Sequence, residues 1–203
     1  MKAAEPRRRG RPSSFDREQA LDGAMRLFWQ RGYEGTSMDE LIRVMGLSPS
    51  SLYAAFGNKQ QLYQAAIERY AAGPGSFAEQ ILAAEHTARA GMERLLQVAA
   101  AELTKPDRPI GCMVALALTH GSADIEPLQA MMTERRAQSR RIMEERIAAG
   151  VRAGELPADT DVPALARMFS AVFHGMSIQA RDGARREELE AVARVAMGAW
   201  PAR

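Results

Sequence analysis

The sequence predicts an all-α protein in which a small N-terminal three-helix domain precedes a larger helical body, with about nine helices in total. Three observations support this fold class. Ala, Leu, Arg, Glu and Met are abundant while β-branched and aromatic residues are scarce, a composition that favours helices over strands. Apolar residues recur at helical spacing in successive segments, and no segment alternates as a strand would. Hydrophobic residues make up 46% of the 203 residues, which is enough for a substantial core.

The stretch 36–59 carries the densest helix signals in the chain. Ser37 and Glu40 form an S-x-x-E capping box, in which each side chain satisfies a backbone N–H of the other residue. Gly46 follows this first short helix, where a helix end favours a residue that tolerates positive φ. Ser48 is a second N-cap, and Pro49 occupies the first helical position, where its missing N–H costs nothing. We therefore predict two capped helices joined by a tight glycine turn.

The second of these helices has two different faces. Leu52 and Phe56 are four residues apart and share one buried face. A short helix with a small and polar outer face fits a DNA major groove, so the pattern predicts a helix-turn-helix. The small residues on the other faces are Ser50, Ser51, Ala54 and Ala55.

Breaks in composition divide the chain into three parts. Residues 1–13 hold many Arg, Gly and Pro without apolar periodicity, so we predict a basic flexible arm that includes Arg9 and Arg11. Such an arm contacts phosphates or a minor groove in a DNA-binding protein, whereas many chain ends are simply solvated. Residues 14–60 form the predicted helix-turn-helix domain, and residues 61–203 form the larger helical body.

Glycines, prolines and apolar runs divide the body into helices. The A-A-G-P-G-S sequence at 71–76 interrupts a helix, and the helical composition from 77 to 104 splits near 85–87. The run 110–120 is the most hydrophobic segment, and we predict a buried helix there because it is too short to span a membrane. Further helices are predicted at about 126–153, 162–181 and 185–200.

The sequence argues against several other classes of protein. No apolar run approaches the roughly 18 residues of a membrane span, and the N-terminal charges are not followed by the apolar segment of a secretory signal. The single cysteine, Cys112, excludes an internal disulfide and fits a reducing cytoplasm, where we expect the protein. We interpret Cys112 as a buried structural residue rather than a redox sensor. His86, His120 and His174 lack metal-ligand spacing and no catalytic motif is evident, so we predict no metal, no cofactor and no enzymatic activity.

Together these motifs resemble the TetR/AcrR family of bacterial regulators. The resemblance rests on L-F-W-Q-R-G-Y-E-G-T-S, M-D-E-L-I, G-L-S-P-S-S-L-Y and F-G-N-K-Q-Q-L, all within about 15–65, and on the length of the helical body. It implies a homodimer that binds a palindromic operator in double-stranded DNA, with the helices at 162–181 and 185–200 forming a four-helix dimer interface. It also implies a repressor that a small, largely apolar effector releases from DNA by binding within residues 61–203. The alternatives are an activator, a constitutive or architectural DNA-binding protein, and a small-molecule-binding protein whose DNA-binding unit is vestigial.

The resemblance further implies which residues contact DNA. Thr36 and Ser37 match phosphate contacts at the start of the first short helix, and Tyr53 and Lys59 match phosphate contacts farther along. Family members often carry His where this chain has Ala55, so base preference does not carry over. The candidate set is completed by Ser48, by Ser50 and Ser51 at positions that face base edges, by Ala54, and by Arg9 and Arg11 of the arm.

An effector pocket is expected among the helices of the body. His120 and His174 lie in otherwise apolar segments, either as core residues or as polar groups that orient an effector. The neighbouring Met and Phe positions either form ordinary core or line the same pocket. The candidate pocket residues are Met113, Leu116, His120, Phe169, Phe173, His174 and Met176.

Overall fold

The computed structural model describes residues 16–119 and 123–202. Within these residues the chain forms nine α-helices and one 3-10 turn and contains no strand, so the all-α prediction is confirmed. The helices are α1 (Arg17–Arg31), α2 (Met38–Met45), α3 (Pro49–Phe56), α4 (Lys59–Ala72), α5 (Phe77–Ala84), α6 (Ala88–Leu103), α7 (Glu126–Arg152), α8 (Val162–Arg181) and α9 (Arg186–Met197), with the 3-10 turn at Ala123–Ile125.

The helix α1 is the centre of the N-terminal unit because it packs against both α2 and α4. Phe28 of α1 is 1% exposed, and its ring meets the ring of Tyr63 in α4 edge-on with centroids 5.0 Å apart. Arg69 of α4 forms ion pairs with Asp22 and Glu18 of α1. The hydrogen bond from Arg69 lowers the pKa of Asp22. The α4 helix is therefore joined to α1 by both apolar and charged contacts, while the domain boundary at residue 60 stays a prediction.

The caps predicted for α2 and α3 are present. Ser37 and Glu40 form both hydrogen bonds of the capping box at the start of α2. Gly46 ends α2 in the left-handed region with φ +66°, which a residue with a Cβ adopts only at a cost. The Ser48 hydroxyl accepts a hydrogen bond from the Ser51 N–H at 3.2 Å at the start of α3. The predicted helix-turn-helix is therefore confirmed, and its boundaries follow from these local hydrogen bonds.

The body is formed by α5 to α9 around a continuous apolar core. Helix α6 packs against α9, and α7 packs against α8. The predicted break near 85–87 is confirmed, because α5 ends at Ala84 and Thr87 caps the start of α6. The side chains at the centre of the core are fully buried, among them Leu95, Leu96, Leu128 and Phe169.

The segment 110–119 departs from the sequence prediction, because it forms turns rather than a helix. Gly111 has φ +84°, which lies outside the right-handed helical region. Neighbouring elements pair the backbone groups of this segment. Trp29 Nε1 donates to the carbonyl oxygen of Gly111 at 3.0 Å, and the Cys112 N–H donates to Ser177 Oγ at 2.8 Å. The predicted buried helix was wrong, since these tertiary hydrogen bonds take the place of bonds within a helix.

Candidate functional site

The outer face of α3 is the exposed surface of the helix-turn-helix. Leu52 and Phe56 seat the opposite face in the core and are 0% and 7% exposed. Ser50 and Ala54 are exposed, and Tyr53 has 53% of its surface exposed. A firmly seated helix therefore presents small side chains and one phenol to solvent.

Three serine hydroxyls cluster at the start of α3. Ser48 Oγ lies 3.1 Å from Ser50 Oγ and 2.8 Å from Ser51 Oγ. The Ser50 hydroxyl is therefore oriented by Ser48 and keeps hydrogen-bonding capacity for a base edge. Two further predicted contacts, Arg9 and Arg11, lie outside the residues that the structure describes.

The residues that precede α2 have different roles. Thr36 is 0% exposed, and its hydroxyl donates to the carbonyl oxygen of Gly32 at 2.8 Å. Because its side chain is buried and paired within the chain, it does not serve as the phosphate contact that the sequence predicted. Ser37 is exposed, and its hydroxyl takes part in the capping box with Glu40. Hydrogen bonds from the Ser37 N–H and hydroxyl lower the pKa of Glu40. Ser37 therefore remains a candidate contact, with its hydroxyl already oriented by Glu40.

Two cations lie on aromatic rings beside α3. The Lys59 Nζ at the start of α4 is 4.3 Å from the centroid of the Tyr33 ring. Burial lowers the pKa of the Lys59 ammonium, and the nearby Glu34 carboxylate opposes that shift. The Arg17 guanidinium at the start of α1 is 4.7 Å from the centroid of the Phe56 ring. The sequence did not predict this contact, because Arg17 and Phe56 are far apart in the chain.

A cavity of about 360 Å³ lies in the body between α4, α5, α7, α8 and the segment 110–119. This volume is within the range of small-molecule sites. Aromatic side chains form part of its wall, and the rings of Phe77 and Phe173 have centroids 6.3 Å apart. The cavity therefore offers an apolar surface that suits a ligand with an apolar body.

Several polar groups interrupt the apolar wall of the cavity. The Tyr70 hydroxyl donates to Cys112 Sγ at 3.4 Å. Burial, and secondarily the neighbouring Cys112, raises the pKa of Tyr70, so the phenol stays protonated. Burial, and secondarily the charge of Arg136, lowers the pKa of His174. Cys112 is buried as predicted, but it also lines the cavity.

The structure brings two of the predicted pocket residues to the cavity. Phe173 and His174 line its wall. Met113, Phe169 and Met176 are instead core residues with exposures of 3%, 0% and 0%, and they lie outside the wall. These three residues are therefore reassigned from the pocket to the core. Apolar character alone does not predict which side chains of a segment pack in the core and which line the cavity.

The wall also contains residues that sequence reasoning missed. Tyr70, Arg135 and Arg136 all line the cavity. The two arginines belong to a charged stretch of α7 that is typical of a solvated face, so no signal in the sequence distinguished them. Of the remaining predicted residues, Leu116 lies outside the wall, and His120 lies outside the described residues.

The loop between α6 and α7 connects this cavity to α1. Trp29 of α1 donates to Gly111 of the loop, and its ring meets the cavity residue Tyr70 edge-on with centroids 4.8 Å apart. Arg26 of α1 donates through Nη1 to the carbonyl oxygen of Asp107 at 2.9 Å. A movement of this loop would therefore act directly on α1, the central helix of the DNA-binding unit.

Residues 16–119 and 123–202 contain no group of His, Cys, Asp or Glu side chains that is arranged to hold a metal ion. No helix in the same range is long and apolar enough to cross a membrane.

Comparison with family models identifies the group of proteins that shares these features. The model described as bacterial regulatory proteins of the TetR family matches residues 20–66, and the tetracyclin repressor-like C-terminal domain matches residues 88–196. The chain belongs to the TetR family. The predicted family is thereby confirmed, and the regulatory character of the family agrees with the prediction that the chain is not an enzyme.

Individual TetR-family proteins resemble the chain over nearly its whole length. The HTH-type transcriptional repressor ComR of Escherichia coli K12 is 35% identical over 194 residues, which cover 95% of this chain and 92% of ComR. A cysteine mutant of the regulator CifR, solved with 26-bp double-strand operator DNA, is 40% identical with a TM-score of 0.91 and covers 95% of this chain and 100% of that one. Reduced NemR of E. coli, 20% identical with a TM-score of 0.77 over 92% of this chain and 98% of its own, shares the fold.

Proposed function

We propose that the chain is a homodimeric transcriptional repressor that leaves a palindromic operator when a small, largely apolar effector binds. The observation that carries the proposal is the firmly seated α3 with its exposed outer face, in a chain similar to a repressor and to a regulator solved with operator DNA. Because its proposed partner is operator DNA, the proposal places the repressor in the bacterial cytoplasm.

On the DNA side, α3 enters the major groove with Ser50, Ser51 and Ala54 facing the base edges. Tyr53 and Lys59 bind phosphates on either side of the groove, which fixes the position of the helix without selecting a sequence. The groove-facing side chains are short, so discrimination depends partly on DNA shape and on the basic arm.

The dimer forms through the apolar faces of α8 and α9. Ile178 of α8 is 52% exposed and Val195 of α9 is 80% exposed, although both side chains are large and apolar. Val172, Ala191 and Val192 border the same surface groove as Val195. Such apolar patches are typical of surfaces that a second chain covers. Two copies that pair these helices form a four-helix bundle, which sets the spacing of the two α3 helices.

Effector control is favoured over a constitutive DNA-binding protein by the cavity in the body. The loop between α6 and α7 lines this cavity and also contacts α1 through Trp29, so an effector can bias the position of the DNA-binding unit. Effector and operator must then weaken each other's binding by the same factor. An activator remains the second candidate for the regulatory outcome, and transcription from the bound promoter distinguishes the two.

The proposal is tested by a gel shift with the DNA upstream of the protein's own gene and with pooled genomic fragments. Lys59→Ala should weaken binding to all bound fragments alike and reduce the slope of log K against log salt by about 2 per dimer, one phosphate contact in each subunit. Tyr53→Phe should weaken all fragments to a similar extent, whereas Ser50→Ala should change their order of preference. Lys105→Ala in the body removes the same charge and is the control.

Failure of the wild-type protein to retard any genomic fragment would contradict the repressor proposal. An unchanged affinity and salt slope in Lys59→Ala would contradict only the assignment of the phosphate contact.

A further inference from the structure

The wall of the cavity contains two arginines, Arg135 and Arg136, for which the described residues supply no acidic partner. Arg136 of α7 lines the cavity and forms no ion pair within the described residues. Two arginines one turn farther along the same helix do form ion pairs, Arg140 with Glu144 and Arg141 with Glu134. Arg136 therefore differs from these two neighbours in that the described residues leave its charge to face the cavity without a paired carboxylate.

The surroundings of Arg136 make this unpaired charge costly. Its side chain is partly buried, and burial lowers its pKa although the guanidinium remains charged. Phe77 and Phe173 lie in the same wall. Glu68 and Glu79 also line the cavity, but both are exposed to solvent and neither pairs with the guanidinium. A partly desolvated cation beside apolar walls gains free energy when an anion pairs with it.

The hydrogen bonds of Arg136 leave part of its guanidinium available. Nη1 donates to the carbonyl oxygens of Val114 at 3.3 Å and Ala117 at 2.8 Å, and Nη2 donates to Thr133 Oγ1 at 3.3 Å. The Nε–H makes no hydrogen bond within the described part of the chain. Nε and Nη2 are adjacent donors of the planar fork, which is the arrangement that binds a carboxylate or a sulfonate with two hydrogen bonds.

We infer that the effector is an amphipathic anion, an apolar body with one carboxylate or sulfonate group that pairs with Arg136. This inference rests on the proposed effector control and names the chemical class of the effector. Its apolar body lies against Phe77 and Phe173, and its acid group binds Nε and Nη2 of the guanidinium whose Nη1 holds the carbonyls of Val114 and Ala117. The loop that those carbonyls belong to also contacts α1, so the same pairing supplies the signal for release.

A matched pair of fluorescent probes tests the inference. The anion is 8-anilinonaphthalene-1-sulfonate, and the neutral probe is N-phenyl-1-naphthylamine, which has the same rings without the sulfonate. Titrations with the full-length protein should give saturable binding of the anion at one site per subunit. Arg136→Met should weaken the anion about tenfold or more and the neutral probe less than about threefold, because only the anion loses a charge-assisted pair.

Two further variants control for charge and geometry. Arg141→Met removes one positive charge from α7 outside the cavity and should leave both affinities unchanged. Arg136→Lys keeps the charge without the fork and should give an anion affinity between those of the wild type and Arg136→Met. If Arg136→Met does not fold, the Nε–H resonance of Arg136 in the wild-type protein, assigned with Arg136→Lys, should shift on addition of the anion while that of Arg141 does not.

Equal loss of both probes in Arg136→Met, no loss of either, or no saturable anion binding to the wild-type protein would overturn the inference. Gel shifts of a bound genomic fragment are measured in parallel, with and without the anion. If the fragment is retarded but Arg136 does not discriminate between the probes, the anionic effector is refuted and the repressor proposal stands. If no fragment is ever retarded while Arg136 does discriminate, the repressor proposal is refuted and the anion site stands.

Discussion

The hydrogen bond between Trp29 and Gly111 gives a direct test of the contact between α1 and the body. Trp29 is 5% exposed, and its Nε1–H donates to the Gly111 carbonyl at 3.0 Å. Trp29→Phe keeps an aromatic ring against Tyr70 but leaves the buried carbonyl without this donor, which costs about 1–3 kcal/mol. The smaller ring removes roughly 1 kcal/mol more of apolar contact. We expect the free energy of unfolding to fall by about 2–4 kcal/mol and the Tm by roughly 5–15 °C.

Trp200→Phe is the matched control for this substitution. Trp200 is 7% exposed and packs on Phe169, with ring centroids 5.8 Å apart, but its Nε1 makes no hydrogen bond within the described residues. It should therefore lose only the roughly 1 kcal/mol of apolar contact. Both variants are unfolded thermally and followed by circular dichroism at one fixed protomer concentration, because dimerisation makes Tm depend on concentration. Equal losses in the two variants would refute the contribution assigned to the Trp29 hydrogen bond.

Two further predictions concern pH and assembly. Burial and the charge of Arg136 lower the pKa of His174 below its ordinary value of 6.5, so the unfolded chain takes up this proton first as pH falls. The stabilisation that the neutral imidazole contributes to the fold is fully present above about pH 6.5 and is lost as pH falls toward the folded-state pKa. His174→Gln should therefore flatten the dependence of Tm on pH between about pH 7 and 5. An unchanged profile would contradict this assignment. Val195→Glu should raise the dimer dissociation constant at least about tenfold in sedimentation velocity, because it buries a charge in the α9 face, whereas Val44→Glu on α2 should not. A fully dimeric Val195→Glu protein would show that the interface lies elsewhere.

Local features of the sequence predicted the DNA-binding unit well, because caps and turns depend on residues close together in the chain. The Ser37 and Glu40 capping box and the left-handed Gly46 are present as predicted. Burial of Thr36 was missed, since it depends on a hydrogen bond to Gly32 at the end of the preceding helix.

Features of the body that depend on distant residues were harder to predict. The apolar segment 110–119 had the composition of a buried helix, but donors and acceptors on Trp29 and Ser177 pair its backbone instead. Arg136 lies in a charged stretch of α7, and nothing in the sequence indicates that the fold turns it toward a cavity. In both cases the decisive contacts join residues that are far apart in sequence, and periodicity does not report such contacts.

The spacing of the two α3 helices links dimerisation, DNA binding and effector control. Selection of bound genomic fragments, followed by hydroxyl-radical footprinting of the protected bases, measures this spacing. We predict an inverted repeat whose half-site centres are separated by about 10–10.5 bp or a whole multiple of this, protected by one dimer. The protection should be lost when a releasing effector is added. A single unrepeated site protected by one subunit, or the absence of any enriched fragment, would contradict the proposed dimeric repressor.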